Sequence, residues 1–250
     1  VTRSQANDGH EDFIMSIQSN TFCWQGISTD VATGTPFYSQ VMGWDVADSE
    51  AGAVFVGPGG AVAHIQPLMD GTPAHWCTYL AVDDLDASTA AAGEQGAILV
   101  PPTALPAGRF SLVVTPSGAA FALYEADAAD EQAKPGPGSL HWVELHSTSV
   151  DTDLAWFQEV FGIGHAVQQM PSGPYTVLQA GGANRGGVVP ARTDRAVFFP
   201  WVQVADVAAT VAAVRAHDGA VITDVFEEAI GRMAVVADPS GAVFGVIQPA

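Results

Sequence analysis

Residues 22–44, FCWQGISTDVATGTPFYSQVMGW, and residues 141–163, HWVELHSTSVDTDLAWFQEVFGI, read as one passage written twice. Laid over one another at a constant offset of 119, they pair Ser28, Thr29, Val31, Thr33, Val41 and Gly43 with Ser147, Thr148, Val150, Thr152, Val160 and Gly162. Phe37-Tyr38 falls on Trp156-Phe157. Later parts align at offsets of 122 to 123, with Gly108-Arg109 on Gly231-Arg232 and Pro116-Ser117-Gly118 on Pro239-Ser240-Gly241. The order is kept and the gaps are small, which is what duplication of a domain leaves behind.

Within each half the apolar pattern passes from period two to period 3.6 and back, twice over. In the first half FCWQGIS reads as a strand, TGTPFYSQVMG as a short helix, and GAVFVG and AVAHIQPL as strands around a Pro58-Gly59-Gly60 turn. HWCTYLAV then opens a second round, with an Ala-rich helix from Leu85 to Gln95 and strands at AILVPP, RFSLVVT and AAFALYE. The second half repeats the scheme through LHWVELHS, a helix over 153–161, YTVLQAGG and GGVVPA, then VFFPWVQV, a helix over 207–217, AVITDV, RMAVVAD and AVFGVIQ. The expectation is an α+β chain of four βαβββ units forming two tandem domains, each a cup-shaped mixed sheet with helices on one face. The boundaries fall at a tail over 1–20, a first domain over 21–125, a linker over 126–138 and a second domain over 139–250. The linker, rich in acidic and small residues with Pro135 and Pro137, has the composition of an extended connector. Whether each half closes its own cup, or the first unit pairs with the fourth and the second with the third, is open at this point.

Composition narrows the partners. The chain has 250 residues, 48% hydrophobic and 14% charged, with 8 Lys+Arg against 27 Asp+Glu and a net charge of −19. Lys134 is the only lysine. Nucleic-acid binding draws its affinity from clustered cations, so DNA and RNA are set aside as partners. No run of about 18 apolar residues signals a membrane span, and the first 20 residues lack the basic-then-apolar order of a secretory leader. The expectation is a soluble cytoplasmic protein, monomer or homodimer, without membrane partners. Cys23 and Cys77 are too few for a disulfide framework and read as reduced thiols.

Phe37-Tyr38 followed by Met42-Gly43-Trp44, the run AVDDLDA at 81–87, and Gly-Arg before a TPSG or DPSG turn resemble the vicinal oxygen chelate superfamily of glyoxalase I, bleomycin-resistance proteins and extradiol dioxygenases. The resemblance covers about residues 21–125 and 139–249. Trp142, Glu144 and Leu145, with TYLAVDD at 78–84, are similar to two-domain glyoxalase-like proteins of actinobacteria. In metal-using members, His, Gln or Glu side chains on the first, fifth and eighth strands, often with one on the fourth, hold a divalent ion that polarises substrate oxygens. The matching positions here are Cys23, Cys77 and Ala122 in the first half and Trp142, Phe199 and Gly245 in the second. None is an imidazole or a carboxylate, so no metal and no other cofactor is expected. One alternative keeps a divalent metal, zinc, nickel or iron, on a softer site of Cys23, His64 and Cys77. Against it, two thiols and an imidazole can simply line an apolar strand face.

Side chains alternate across a strand, so Trp142, Glu144 and His146 share a face, as do Cys23 with Gln25, Cys77 with Tyr79, and Phe199 with Trp201. Gln25, Tyr79, Trp142, Phe199 and Trp201 are therefore the candidate ligand-binding residues, and Glu144 with His146 the candidate acid-base pair. Burial is expected to raise the Glu144 pKa, unless Glu144 caps a backbone N–H or pairs with Arg185 or Arg232. Arg109 and Arg232 fit either an anionic ligand or a structural pairing, Asp238 being a candidate partner for Arg232. The chemistry expected is metal-independent binding of a small aromatic or carbonyl-bearing molecule. The alternative is a lyase, isomerase, dioxygenase or hydroxylase working through Glu144 and His146 or a non-standard metal site.

Overall fold

The computed structural model of the protein describes residues 17–49, 52–127 and 133–250. Most of the N-terminal tail and residues 128–132 of the linker lie outside them. The first half runs β1 (Phe22–Thr29), α1 (Val31–Met42), β2 (Asp45–Ser49), β3 (Gly52–Gly57), β4 (Gly60–Pro67), β5 (His75–Ala81), α2 (Leu85–Gln95), β6 (Ala97–Leu105), β7 (Gly108–Val114) and β8 (Ala120–Ala126). The second runs β9 (Leu140–Ser147), α3 (Val150–Phe161), β10 (Gly164–Met170), β11 (Gly173–Ala180), β12 (Ala183–Pro190), β13 (Val197–Gln203), α4 (Val207–Ala216), β14 (Ala220–Glu228), β15 (Gly231–Ala237) and β16 (Val243–Pro249). The four βαβββ units are complete. Two strands that the apolar pattern did not reveal, β2 and β10, lie at the sheet edges. Their sequences DVADS and GHAVQQM carry little continuous apolar character, as befits strands that bury one face at most and keep an edge from pairing with another chain.

Each half forms its own open eight-stranded sheet, in the orders β2-β3-β4-β1-β5-β8-β7-β6 and β10-β11-β12-β9-β13-β16-β15-β14. The exchange of units between halves does not occur. The sheets are mixed: β1 with β4, β5 with β8, β12 with β9 and β13 with β16 run parallel, and the other pairs are antiparallel. Helix starts follow from local chemistry. Asp30, Asp84 and Asp206 each accept a backbone N–H from the first turn of α1, α2 and α4, satisfying donors the helix cannot pair itself.

The helices lie between the sheets, α1 beside α4 and α2 beside α3. One buried cluster joins Ile27, Phe37, Tyr38 and Phe55 of the first half to Val207, Val211, Val214 and Phe244 of the second. Another joins Leu80, Leu85 and Phe121 to Leu145, Leu154, Trp156, Phe157 and Phe198. Trp76 meets Phe244 at 5.0 Å and Phe121 meets Phe198 at 4.9 Å between ring centroids. The main cores are thus shared by both halves. Each sheet turns its other face outward, and a smaller apolar cluster lines that face, around Tyr79 in the first cup and around Trp201 in the second.

The duplicated turns lock the halves together. The TPSG turn (115–118) reaches α3, where Ser117 Oγ donates to Asp153 Oδ2 at 2.5 Å and Ser117 N to Oδ1 at 3.1 Å. The DPSG turn (238–241) reaches β1 and α1: Thr29 Oγ1 and Tyr38 Oη donate to Asp238 Oδ2 at 2.7 and 3.2 Å, and Asp30 N donates to Ser240 Oγ. Asp238 is therefore occupied here, and Arg232 instead lies 3.7 Å from Glu227. The described end of the linker is packed: Lys134 N donates to Gly59 O, and Trp44 Nε1 donates to Gly138 O.

Candidate functional site

The second cup holds a connected set of polar groups among aromatic walls. Glu144 on β9 is the hub. Tyr175 Oη on β11 donates to Oε1 at 2.7 Å, Trp201 Nε1 on β13 donates to Oε2 at 3.1 Å, and His146 Nε2 lies 3.4 Å from Oε2. Trp142 Nε1 in turn donates to Tyr175 Oη at 2.8 Å. The His146 ring stacks on Phe199 at 5.3 Å, and Phe199 meets Trp201 edge-on at 5.2 Å. The Glu144 side chain is 16% exposed and that of His146 27%.

Burial pushes the Glu144 carboxyl up, but the donors His146, Tyr175 and Trp201 and the neighbouring imidazole outweigh it, so its pKa lies below the ordinary value. This reverses the rise expected from burial alone. A carboxylate surrounded by donors is stabilised in its charged form, so Glu144 is an anion at neutral pH. It does not pair with Arg185 or Arg232. The Tyr175 hydroxyl is shifted the other way, up, by burial and by the Glu144 charge it faces.

Two glycines make the arrangement possible. A Cβ on Gly187, which stands opposite Glu144 on β12, would overlap the Tyr175 hydroxyl, and a Cβ on Gly245 would overlap the Trp201 indole. Gly245 is the position that the resemblance to metal-using members matches to their last ligand. Here the indole of Trp201 fills that space and presents its N–H to Glu144.

The first cup is built on the same plan without a carboxylate. Trp24 Nε1 donates to His64 Nδ1 at 3.0 Å, and the His64 ring meets Tyr79 edge-on at 5.7 Å. A Cβ on Gly26 would come within 2.7 Å of the His64 ring, so the imidazole lies directly over that glycine. Burial holds the His64 pKa below its usual value, against the opposing effect of Gln66.

The strand pairing corrects one part of the sequence reading. Trp24 pairs with Tyr79 and Trp142 with Trp201, while Gly26 pairs with Cys77 and Glu144 with Phe199. Trp24 is thus the counterpart of Trp142, and Gly26 that of Glu144. The 119 offset is one residue out along this strand because one residue separates β1 from α1 and two separate β9 from α3. A bulge between Phe22 and Trp24 disturbs the alternation further. Gln25 consequently points away from the cup: it pairs with Thr78, is 2% exposed, and accepts from Thr78 Oγ1 at 2.9 Å. Tyr79 lines the first cup, and Trp142, Phe199, Trp201, Glu144 and His146 line the second.

The alternative metal site does not assemble. Cys23 Sγ turns to the Tyr79 carbonyl at 3.7 Å, His64 Nδ1 is occupied by Trp24, and burial pushes the Cys77 thiol up to about 12. With no cation beside it among the described residues, Cys77 is a protonated thiol at neutral pH. Among the described residues no group of three or more His, Cys, Asp or Glu side chains is placed to hold a metal ion. Trp24, Cys77 and Ala122 in one cup and Trp142, Phe199 and Gly245 in the other do not fit the divalent ion of metal-using relatives. Arg109 is likewise accounted for, since its Nη2 contacts both Asp86 oxygens at 2.9 and 3.0 Å.

Tyr175 is the site residue that the sequence did not disclose. It lies on a strand recognised from its apolar run, but nothing local marks its hydroxyl as reaching two strands across to Glu144. Gly187, whose missing Cβ leaves room for that hydroxyl, was the available signal.

A family model of the glyoxalase-like domain matches residues 22–124. The Mycobacterium tuberculosis protein named "Putative glyoxylase CFP32" is 33% identical over 240 residues, covering 89% of this chain and 92% of its own. The anthracycline biosynthesis protein DauV of Streptomyces sp. (strain C5) is 30% identical, with coverage of 88% and 90%. Among solved structures, the Mn(II)-bound glyoxalase from Novosphingobium aromaticivorans superposes with a TM-score of 0.68 at 16% identity over 92% of this chain and 82% of that one. The 2,3-dioxygenase LapB from Pseudomonas sp. KL28 gives 0.63 at 14% identity, covering 93% and 94%.

Proposed function

The chain belongs to the glyoxalase-like family of the vicinal oxygen chelate superfamily, and from that premise we propose that it binds a small aromatic or carbonyl-bearing molecule in the second cup without a metal ion. One observation carries the reading: the Trp201 indole lies over Gly245, the position matched to the last ligand of metal-using members, and donates to Glu144. The space used elsewhere for a Lewis acid is here an aromatic wall with one anionic acceptor. Stacking on such a wall contributes about 0.5–1.5 kcal/mol per ring pair, and a hydrogen bond to a carboxylate about 1.5–3 kcal/mol. The ligand this favours is flat and carries a hydroxyl or N–H donor beside its ring or carbonyl. The first cup, with Gly26 in place of Glu144 and His64 over it, offers no equivalent acceptor.

The test combines metal analysis of purified protein with titration of tryptophan fluorescence by a panel of hydroxylated aromatics and small dicarbonyls. The expected result is less than stoichiometric metal, saturable quenching by at least one compound, and affinity weakened about tenfold or more by Glu144→Gln. Stoichiometric zinc, nickel, iron or manganese retained after dialysis would refute metal independence. Equal affinity of the variant would remove Glu144 from the site.

A second reading has its own support in the 3.4 Å approach of His146 to Glu144. An ionised carboxylate beside an imidazole can take a proton from a carbon next to a carbonyl and pass it on. Turnover of methylglyoxal with glutathione, abolished by Glu144→Gln, would favour this enzyme; binding without turnover favours the module.

A further inference from the structure

The seam between the two halves holds a recess of about 150 Å³ that belongs to neither cup's interior. Thr21 and Phe22 from the first half and Leu140 to Val143, Asn184 and Arg185 from the second line it. Its chemistry is one-sided, because none of these side chains is a carboxylate. Arg185 is half-buried and forms no ion pair among the described residues, although the chain carries 27 acidic residues against 8 Lys and Arg. Its described bonds go to neutral oxygens: Nη1 donates to Thr21 Oγ1 at 2.9 Å and Nε to Ala180 O at 3.3 Å. Among the described residues the two other half-buried arginines, Arg109 and Arg232, both face acids. Asn184 adds donors of its own. Its Oδ1 accepts from Gln179 Nε2 at 2.9 Å, which leaves the amide N–H groups for other acceptors. His141 also lines the recess, with its imidazole hydrogen-bonded to Gln203.

Arg185 and Asn184 both line a recess whose lining side chains include no acid, and a guanidinium with a primary amide is a donor set suited to a planar or tetrahedral oxyanion. We propose that this recess is a small-anion subsite, in which Arg185 and Asn184 hold the carboxylate or phosphate group of a ligand across the seam. Occupation would tie Thr21 of the first half to β12 of the second. Trp142 is a wall of both the recess and the second cup, so an acidic group held here lies next to the aromatic surface of the cup. The subsite rests on the recess residues alone and stands whether or not the cup binds its ligand without metal.

The experiment is amide and side-chain NMR titration of the full chain with inorganic phosphate and, separately, with acetate, at constant ionic strength with chloride as the balancing ion. Saturable shifts at Asn184, Arg185 and His141 with at least one anion are expected, and the responding anion identifies the source as phosphate ester or carboxylic acid. Arg185→Gln should weaken binding about tenfold or more. Since Arg185 also bridges to Thr21, Asn184→Asp serves as the second variant: it keeps the size of an exposed side chain, exchanges donors for a negative charge, and should abolish the response with an unchanged far-ultraviolet spectrum. Linear, non-saturating shifts with both anions, or an undiminished response in Asn184→Asp, would overturn the proposal.

Discussion

Glu144 shows how environment outweighs burial in setting the state of one side chain. Its carboxylate loses much of its hydration, yet Tyr175, Trp201 and His146 together hold its pKa below the ordinary value. The consequence for stability has a definite sign. A carboxylate whose pKa is lower folded than unfolded contributes stability that is fully present above its unfolded pKa, about 4.3, and is lost as pH falls through the folded value. Glu144→Gln cannot titrate, so the urea midpoint of the variant should fall less steeply than that of the parent between about pH 5 and pH 3. At pH 7 the variant should be less stable by about 2 kcal/mol, because an amide is a weaker acceptor for three donors. Equal acid slopes for the two proteins would mean that the network does not hold the carboxylate as described.

At the scale of elements, the informative contrast is between what repeats and what is paired. The helices, the turns and fourteen of the sixteen strands were legible from apolar period and from Pro and Gly punctuation, because those signals are local. Two edge strands, β2 and β10, were not, since an edge strand that is mostly exposed has no continuous apolar run to display. The alignment of β1 with β9 went one residue astray because Ser28-Thr29 and Ser147-Thr148 match in type, while the connections to α1 and α3 differ by one residue. Side-chain period in a strand is two, so that single residue sent Gln25 to the wrong face. The cup of the second half was readable from Trp142, Glu144, His146, Phe199 and Trp201, whereas Tyr175 depends on pairing across strands that no local pattern records. The paired turns carry a prediction at this same scale. Asp153 is fully buried and receives Ser117 Oγ, Ser117 N and Ser147 Oγ. Asp153→Asn puts an amide donor against hydroxyl donors and should cost about 1–3 kcal/mol, read as a lowered urea midpoint. Asp151→Asn, exposed one position before Thr152 on the same helix, should change it by less than about 0.5 kcal/mol.

The whole molecule is bound by cores that neither half owns. Residues Phe37, Tyr38 and Phe55 bury themselves against Val207, Val211 and Phe244, and Phe121 against Trp156, Phe157 and Phe198. Each fully buried large apolar side chain contributes about 1.5–3 kcal/mol, while the net stability of a protein is about 5–15 kcal/mol. Exposing several of these residues at once therefore exceeds what either half could retain. The cups face away from this shared interior, so ligand chemistry can change on the outer faces without disturbing what holds the halves together. The expected behaviour is one calorimetric transition for the chain, with calorimetric and van't Hoff enthalpies agreeing, even though the sheets do not hydrogen-bond to each other. Residues 133–250 produced alone should lack the near-ultraviolet signature of packed Trp156 and Trp201, and should regain it on mixing with residues 17–127. Two resolved transitions, or a separately folded second half, would mean that the shared clusters contribute far less than their burial implies.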